Sequence, residues 1–260
     1  MKPTRLFGLS LLCCAVASPS LADVTLKSKG SGTGMVGAVG GDMTQYVKGL
    51  KTRVDQTTGK GKQTTTIIDV LERQMIVLDH EKKEAEIINM TSLADSLGKA
   101  GASDITTSIT PTTQTRQIAG QPCTVYNLKV AVPMQMGAAA MKMVMSGPQC
   151  LVKNGPGHAD FAAFYRAASE KGFFLDAAQA KARPAMAKAM TDMYKQMAEL
   201  GVPFATEMNI GIDAGEAGGP MAEMMKKMNN TISTEVTSVS TATIEATMFE
   251  VPAGYKVNKR

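Results

Sequence analysis

The stretch from Val132 to Cys150, VPMQMGAAAMKMVMSGPQC, decides the fold, because it concentrates five methionines between Met134 and Met145 just before a cysteine. Three interpretations fit it: a soft-metal site, an apolar ligand surface, or core packing. Its backbone is also open to two interpretations. Ala138–Ala140 favours a helix, whereas the alternation in Met141–Met145 favours a strand.

Cys123 and Cys150 distinguish the two, since a disulfide between them would set the register of a hairpin. If they face each other, paired residue numbers sum to 123 + 150 = 273 and the turn falls at Met136–Gly137. Leu128 then pairs with Met145, Val130 with Met143, and Val132 with Met141. Side chains in a strand alternate between two faces, so these residues share one apolar face. We therefore predict a disulfide-linked hairpin, and the predicted ligand-lining residues are Leu128, Val130, Met141, Met143 and Met145.

Residues 1–22 have the form of an export signal: a basic start, an apolar run at Leu6–Val16 and small residues before the cleavage site. The apolar run is too short to span a bilayer. We predict cleavage after Ala22, a single exported domain over residues 23–260, and a periplasmic location. The two leader cysteines lack the small preceding residue of a lipid-attachment site, which disfavours a lipoprotein.

The charge of the chain is low and spread out. The formal net charge is +5, and the leader contributes two basic residues and no acidic ones, which leaves 5 − 2 = +3. Nucleic-acid-binding proteins have clustered basic stripes, and this sequence has none, so we expect no nucleic-acid partner. Weak contact with anionic lipid headgroups is compatible with this charge. The two remaining cysteines are expected to pair in an oxidising compartment.

The first half of the chain predicts an antiparallel meander. Its strand-like runs are too close together for the crossover connections of parallel strands. The runs are Gln45–Lys48, Lys51–Gln56, Thr64–Val70, Arg73–Asp79 and Ala85–Asn89.

The second half predicts helices with apolar stripes. The stripes are Phe161, Phe164, Tyr165 and Ala168, then Met186, Met190, Met193 and Met197, then Met221, Met224, Met225 and Met228. Thr91–Lys99 predicts one short helix, and the β-branched Thr231–Thr247 predicts a final strand. The fold class is therefore α+β, with one large curved antiparallel sheet and helices packed on one side.

The sequence contains no arrangement typical of an enzyme, a cofactor site or a structural metal site. His80 and His158 have no adjacent nucleophile and no metal-ligand spacing. Gly32–Gly37 matches the letters G-x-G-x-x-G, but a strand-like run follows it where a dinucleotide site needs a helix. Lys51, Arg53 and Asp55 share one strand face, either as a headgroup site or as cross-strand pairs. We predict no enzymatic activity, no cofactor and no metal.

Four sequence segments resemble those of a family of exported bacterial proteins with a domain of unknown function. They are YVKGLKTRVD at Tyr46–Asp55, IIDVLERQMIVLD at Ile67–Asp79, GQPC at Gly120–Cys123, and FEVPAGYK at Phe249–Lys256. The family is similar in architecture to the outer-membrane lipoprotein carriers. The resemblance implies a Gram-negative envelope setting and a half-barrel with helices packed on its concave, apolar face.

These observations predict a periplasmic, non-enzymatic protein that binds a hydrophobic or lipid-like ligand between sheet and helices. One alternative is methionine-based Cu(I) binding in the cell envelope, because thioethers are soft ligands. Another is a structural or partner-binding envelope protein with peripheral envelope contact. Methionine also fills irregular core space, so core packing remains open for each methionine cluster.

Overall fold

The computed structural model describes residues 23–33, 41–57, 61–92, 105–136, 139–170, 173, 184–213 and 230–259. Within these residues, twelve strands form one open sheet in the order β12-β6-β5-β4-β3-β2-β1-β11-β10-β9-β8-β7. Neighbouring strands are antiparallel, except that β12 runs parallel to β6. The strands are β1 (Val24–Thr33), β2 (Gly41–Lys48), β3 (Lys51–Thr57), β4 (Gln63–Asp69), β5 (Gln74–Asp79), β6 (Glu84–Asn89), β7 (Thr106–Ile118), β8 (Gln121–Met136), β9 (Ala139–Val152), β10 (Val202–Asp213), β11 (Asn230–Ser240) and β12 (Lys256–Lys259).

The predicted meander is confirmed as β2 to β6, in which each strand pairs with the next. The predicted final strand is also confirmed, but it ends at Ser240, and a short 3-10 turn follows at Ala246–Phe249. The sequence did not predict β1, β10 or β12.

Two helices pack against each other, α1 (His158–Glu170) and α2 (Pro184–Leu200). They confirm the predicted helices, and the first apolar stripe packs inward as expected. Of the second stripe, Met193 packs against the cluster of the two helices, whereas the side chains of Met186 and Met190 lie outside the described part of the chain. The third stripe, at Met221–Met228, lies outside the described residues, as does most of Thr91–Lys99. None of the helices in the described part of the chain has the length and hydropathy of a membrane span.

The helices lie on one face of the sheet. Cross-strand pairing places Val24, Val47 and Ile68 in one row, which continues to Met75. Phe161 of α1 packs in one cluster with Val24 and Val47. Further along, α1 and α2 pack in a second cluster with Ile68 and Met75. We call this the helix-bearing face.

The predicted disulfide between Cys123 and Cys150 is present. Strand pairing leads from Cys150 through Ala205 and Glu235 to Lys29, which alternates with Val24, so the cysteines lie on the face opposite the helix-bearing face. Both cysteines also belong to the buried cluster that contains Val24 and Phe161. The predicted register was wrong by two residues. Val125, not Cys123, pairs with Cys150, and the last pair before the turn is Met136 with Ala139. The disulfide is therefore diagonal across β8 and β9, with a Cα–Cα distance of 5.4 Å.

The sheet curls at its β7 edge. Three strands separate β7 from β11 in the sheet order, yet the two come within 8 Å at Cα. The Arg116 guanidinium donates to the Glu235 carboxylate at 2.6 Å. Pairing places Arg116 beside Cys123, and Glu235 beside Ala205 in the row of Cys150. This end of the sheet is therefore concave toward the disulfide.

Candidate functional site

Apolar side chains on the neighbouring strands β8, β9 and β10 lie opposite one another in successive cross-strand rows. Val130 pairs with Met145 and Met145 with Ile210. Val132 pairs with Met143, which in turn pairs with Ile212. These side chains are only partly buried, unlike those under the helices. We define the apolar strip as Leu128, Val130, Met143, Met145, Ile210 and Ile212.

The apolar strip belongs to the helix-bearing face. Thr206, which shares a face of β10 with Ile210, pairs with Thr234, and Thr234 pairs with Gly30. Gly30 and Val24 share a face of β1, because the bulge between β1 and β11 leaves the alternation of β1 intact. The predicted residues therefore share a face with the helices.

The five predicted residues occupy two kinds of environment. Leu128, Val130, Met143 and Met145 are partly buried in the apolar strip, whereas Met141 is only 5% exposed. Ile210 and Ile212 were not predicted from the sequence. The signal for them was the alternation in Met208-Asn209-Ile210-Gly211-Ile212, which lies in a part of the chain dominated by helical spacing.

One end of the apolar strip is polar. Gln149 lies four residues along β9 from Met145, pairs with Tyr126 and Thr206, and is 7% exposed. Among the described residues, nothing donates a hydrogen bond to its Oε1. A buried amide oxygen without a donor is costly, and a ligand donor would reach it only after the residues that cover it move.

A second concave surface lies on the opposite face, where β7 curls toward β11. It is a groove of about 330 Å³, with Val125, Cys150 and Ala205 on its floor. Its rim contains Glu207 and the paired Arg116 and Glu235. The rim carries two acidic residues and one basic residue, all exposed, so the groove suits an apolar ligand less well than the apolar strip does.

The basic residues of β2 and β3 are paired, which favours the cross-strand interpretation over a headgroup site. Lys48 contacts Asp23 at 2.7 Å and Lys51 contacts Asp69 at 2.9 Å. Arg53 contacts Asp55 at 2.8 Å within one strand. Little charge on this surface is left for an anionic partner.

His80 belongs to a hydrogen-bonded chain that fastens the C-terminal segment to the sheet. Thr65 is 1% exposed, and its hydroxyl donates to Asp55 Oδ1 at 2.6 Å. Thr65 Oγ1 therefore accepts from His80 Nε2 at 2.8 Å, which leaves His80 Nδ1 to accept from the Tyr255 hydroxyl at 2.6 Å. We call Asp55, Thr65, His80 and Tyr255 the C-terminal clamp.

Packing and charge support the C-terminal clamp. Arg53 Nη1 donates to the backbone carbonyl of Met248 at 2.5 Å, and Phe249 is buried against Ile67. Burial raises the pKa of Tyr46 in the same cluster, and the charge of Asp55 raises it further. The sequence segments Tyr46–Asp55 and Phe249–Lys256 thus have a structural role. They hold the end of the chain on the face opposite the helices.

We expect Tyr255→Phe to destabilise the fold by about 1–2 kcal/mol, because it removes the donor to His80 Nδ1 while keeping the ring. Urea unfolding of Tyr255→Phe, His80→Ala and the double variant checks this as a double-mutant cycle. The double variant should cost clearly less than the sum of the single variants. Additive costs would show that the two side chains do not interact.

Among the described residues, no group of three or more His, Cys, Asp or Glu side chains could hold a metal ion.

Comparison with known proteins adds little. No protein-family model matches the chain, and no curated protein matches it. Two solved structures of PNGF-II, in space groups C2 and P21, align with 92% of this chain at 8% and 10% identity and TM-scores of 0.34 and 0.33. The chain spans 31% and 32% of their length. A likeness this weak carries no argument about fold or function, so the function has to be argued from the site itself.

Proposed function

We propose that this chain is an exported, non-enzymatic protein of the bacterial periplasm that binds a hydrophobic or lipid-like ligand on the apolar strip. The observation that carries the proposal is the contrast within one sheet face. Under α1, the side chains of Val24 and Val47 are almost fully buried. On the apolar strip, six aliphatic or thioether side chains are aligned in register and only partly covered.

The dimensions and ends of the apolar strip suit an extended amphipathic molecule. From Met143 to Gln149 there are six residues along β9, or about 20 Å at the usual rise of a strand. Methionine side chains are flexible and polarizable, which suits an adaptable apolar surface. Gln149 and Thr206, which pair across β9 and β10 at one end of the apolar strip, suit a ligand with a polar end.

The disulfide is consistent with an oxidising compartment. The lipoprotein-carrier likeness further implies a half-barrel with the helices on its concave face. That arrangement stays a prediction, and it requires β1 to β6 to curve toward the helices. The curl at β7 runs the other way, toward the disulfide.

Met145→Lys tests the apolar strip, with Val144→Lys as the matched control. The two residues are neighbours on β9 and both partly buried, but Val144 lies on the opposite face. A charged lysine on the strip should weaken binding of a fluorescent fatty alcohol at least about tenfold, a loss of roughly 1.4 kcal/mol. Val144→Lys should bind the alcohol like the unmodified protein.

Native mass spectrometry of protein purified from an envelope fraction should also find a co-purified lipid. Absence of both lipid and alcohol binding in the unmodified protein would refute the proposal, as would equal losses in the two variants. The same preparations serve for a Cu(I) competition titration. Stoichiometric Cu(I) binding that Met143→Leu and Met145→Leu remove would favour the metal-handling alternative.

A further inference from the structure

We propose that Asp160 is the binding site for a primary ammonium group, and that its occupant is the α-ammonium of Asp23 released by cleavage after Ala22. Removal of the leader then completes the attachment of α1 to the sheet. This inference rests on the proposed export of the chain, but not on any ligand of the apolar strip.

The Asp160 carboxyl is a buried acceptor without a donor. It is the third residue of α1 and is 3% exposed. In the described structure, nothing donates a hydrogen bond to its Oδ1. Burial raises the pKa of Asp160; a hydrogen bond from its own backbone N–H opposes the shift, and the charge of Asp23 adds to it. An ionised carboxylate here needs a nearby cation.

The start of β1 lies beside the first turn of α1. Val24 is fully buried, and a Cβ on Gly157 would lie 2.7 Å from Val24 Cγ1, so the backbone leading into α1 rests directly on this side chain. Phe161, one residue after Asp160, packs in the same cluster as Val24. Asp23 directly precedes Val24, and its charge acts on Asp160, so the start of the exported chain lies near the turn that contains Asp160.

The local charges are unbalanced while the leader is attached. Asp23 Oδ2 accepts from Lys48 Nζ at 2.7 Å and from the backbone N–H of Ile244 at 2.6 Å. Lys48 is therefore already paired with Asp23, and the carboxylate of Asp160 adds a second negative charge. Cleavage converts the amide nitrogen of Asp23 into an ammonium group, with an ordinary pKa of about 7.7–8.0. This supplies the missing positive charge and three donors.

His158 offers no substitute donor through its Nδ1. This atom accepts from the backbone N–H of Asn154 at 3.3 Å, which leaves the proton on Nε2. Within the described chain, Nε2 has no hydrogen-bond partner either, so it does not reach Asp160.

The test compares three forms of the same chain: one that starts at Asp23, one that starts at Asp23 with an acetylated amine, and one that retains Leu21 and Ala22. Thermal unfolding at pH 7 should give the first form a melting temperature higher by at least about 4 °C, because loss of one partner of a buried ion pair is costly. The acetylated form is close in length to the form that starts at Asp23, but it lacks the positive charge and two of the three N–H donors.

Asp160→Asn, which keeps the shape of the side chain, assigns the partner. It should lower the melting temperature of the form that starts at Asp23, and leave unchanged or raise that of the acetylated and extended forms. Equal melting temperatures for the three forms would overturn the inference, and so would an equal effect of Asp160→Asn on all of them. Intact-mass analysis of envelope protein that shows a start other than Asp23 would overturn it as well. Fatty-alcohol binding by the apolar strip is measured separately and can fail without changing these results.

Discussion

Gly147→Ala is expected to lower the free energy of unfolding by about 3 kcal/mol, the upper end of the usual cost of overpacking. A Cβ at Gly147 would lie 1.9 Å from the carbonyl oxygen of Glu207 and 2.9 Å from its carbonyl carbon. Both atoms belong to the backbone of β10, so a side-chain rotation cannot relieve the contact. The Cα of Met208 would also lie 3.3 Å from this Cβ, so the close approach extends along the β10 backbone.

Urea unfolding followed by circular dichroism measures this effect, with Gly120→Ala as the control. Gly120 lies in the turn between β7 and β8 at φ +75°, and a Cβ there meets nothing within 4 Å. The control therefore carries only the backbone strain of an L side chain at positive φ, about 1–2 kcal/mol. If both variants lose the same free energy of unfolding, the strands β9 and β10 separate easily and their close approach does not matter for stability.

The meander could be predicted because its information is local. Each strand from β2 to β6 pairs with its neighbour across a short turn, so the spacing of the runs excludes crossover connections. The strand β1 could not be predicted in this way, because Gly30 and Gly32 suggest a flexible segment. Their strand conformation depends on pairing with β11, about two hundred residues later. The parallel pairing of β12 with β6 is equally distant in sequence.

The hairpin shows what a pair of cysteines can and cannot specify. A disulfide fixes which residues are close, but both directly opposite and diagonal cysteines satisfy it. The structure has the diagonal arrangement, so the true pairs sum to 275 rather than 273, as Val130 with Met145 illustrates. A shift of two residues preserves the faces, since side chains alternate with a period of two. The predicted apolar face therefore survived a wrong register.

The candidate site could be predicted only in part, because the sequence does not show which strands pair when they are distant along the chain. Alternation within β8 and β9 identified one apolar face, but the extension of this face to Ile210 required knowing that β10 pairs with β9. Asp160 was beyond the reach of the sequence altogether. An aspartate near the start of a helix usually faces solvent and stabilises the helix dipole. Its burial follows from the contact of α1 with Val24, which no local pattern shows.

Replacing both Cys123 and Cys150 with alanine is expected to cost about 3–4 kcal/mol, the chain-entropy value for a loop of this size. The sequence separation of the two residues is 27. Thermal unfolding of the double variant and of the oxidised protein measures the cost, which should lower the melting temperature by several degrees. An unchanged melting temperature would contradict this prediction. It would show that the backbone hydrogen bonds between β8 and β9 already hold the strands together and that the disulfide adds little stability.

The burial of the disulfide gives a second, independent measurement. Cys123 and Cys150 are 3% and 2% exposed, beneath Arg116 and Glu235 at the rim of the groove. A thiol reductant must reach a sulfur atom to react, and the groove leaves only 2% of Cys150 exposed, so we expect an opening of the β7 curl to speed reduction of the native protein. We expect reduction to be slow in buffer and fast in urea concentrations that unfold the chain. Arg116→Ala should speed the native reaction without changing the reaction in urea, because it removes only the contact that holds β7 against β11. Equal native rates for Arg116→Ala and the unmodified protein would show that the curl is held by backbone packing rather than by this ion pair.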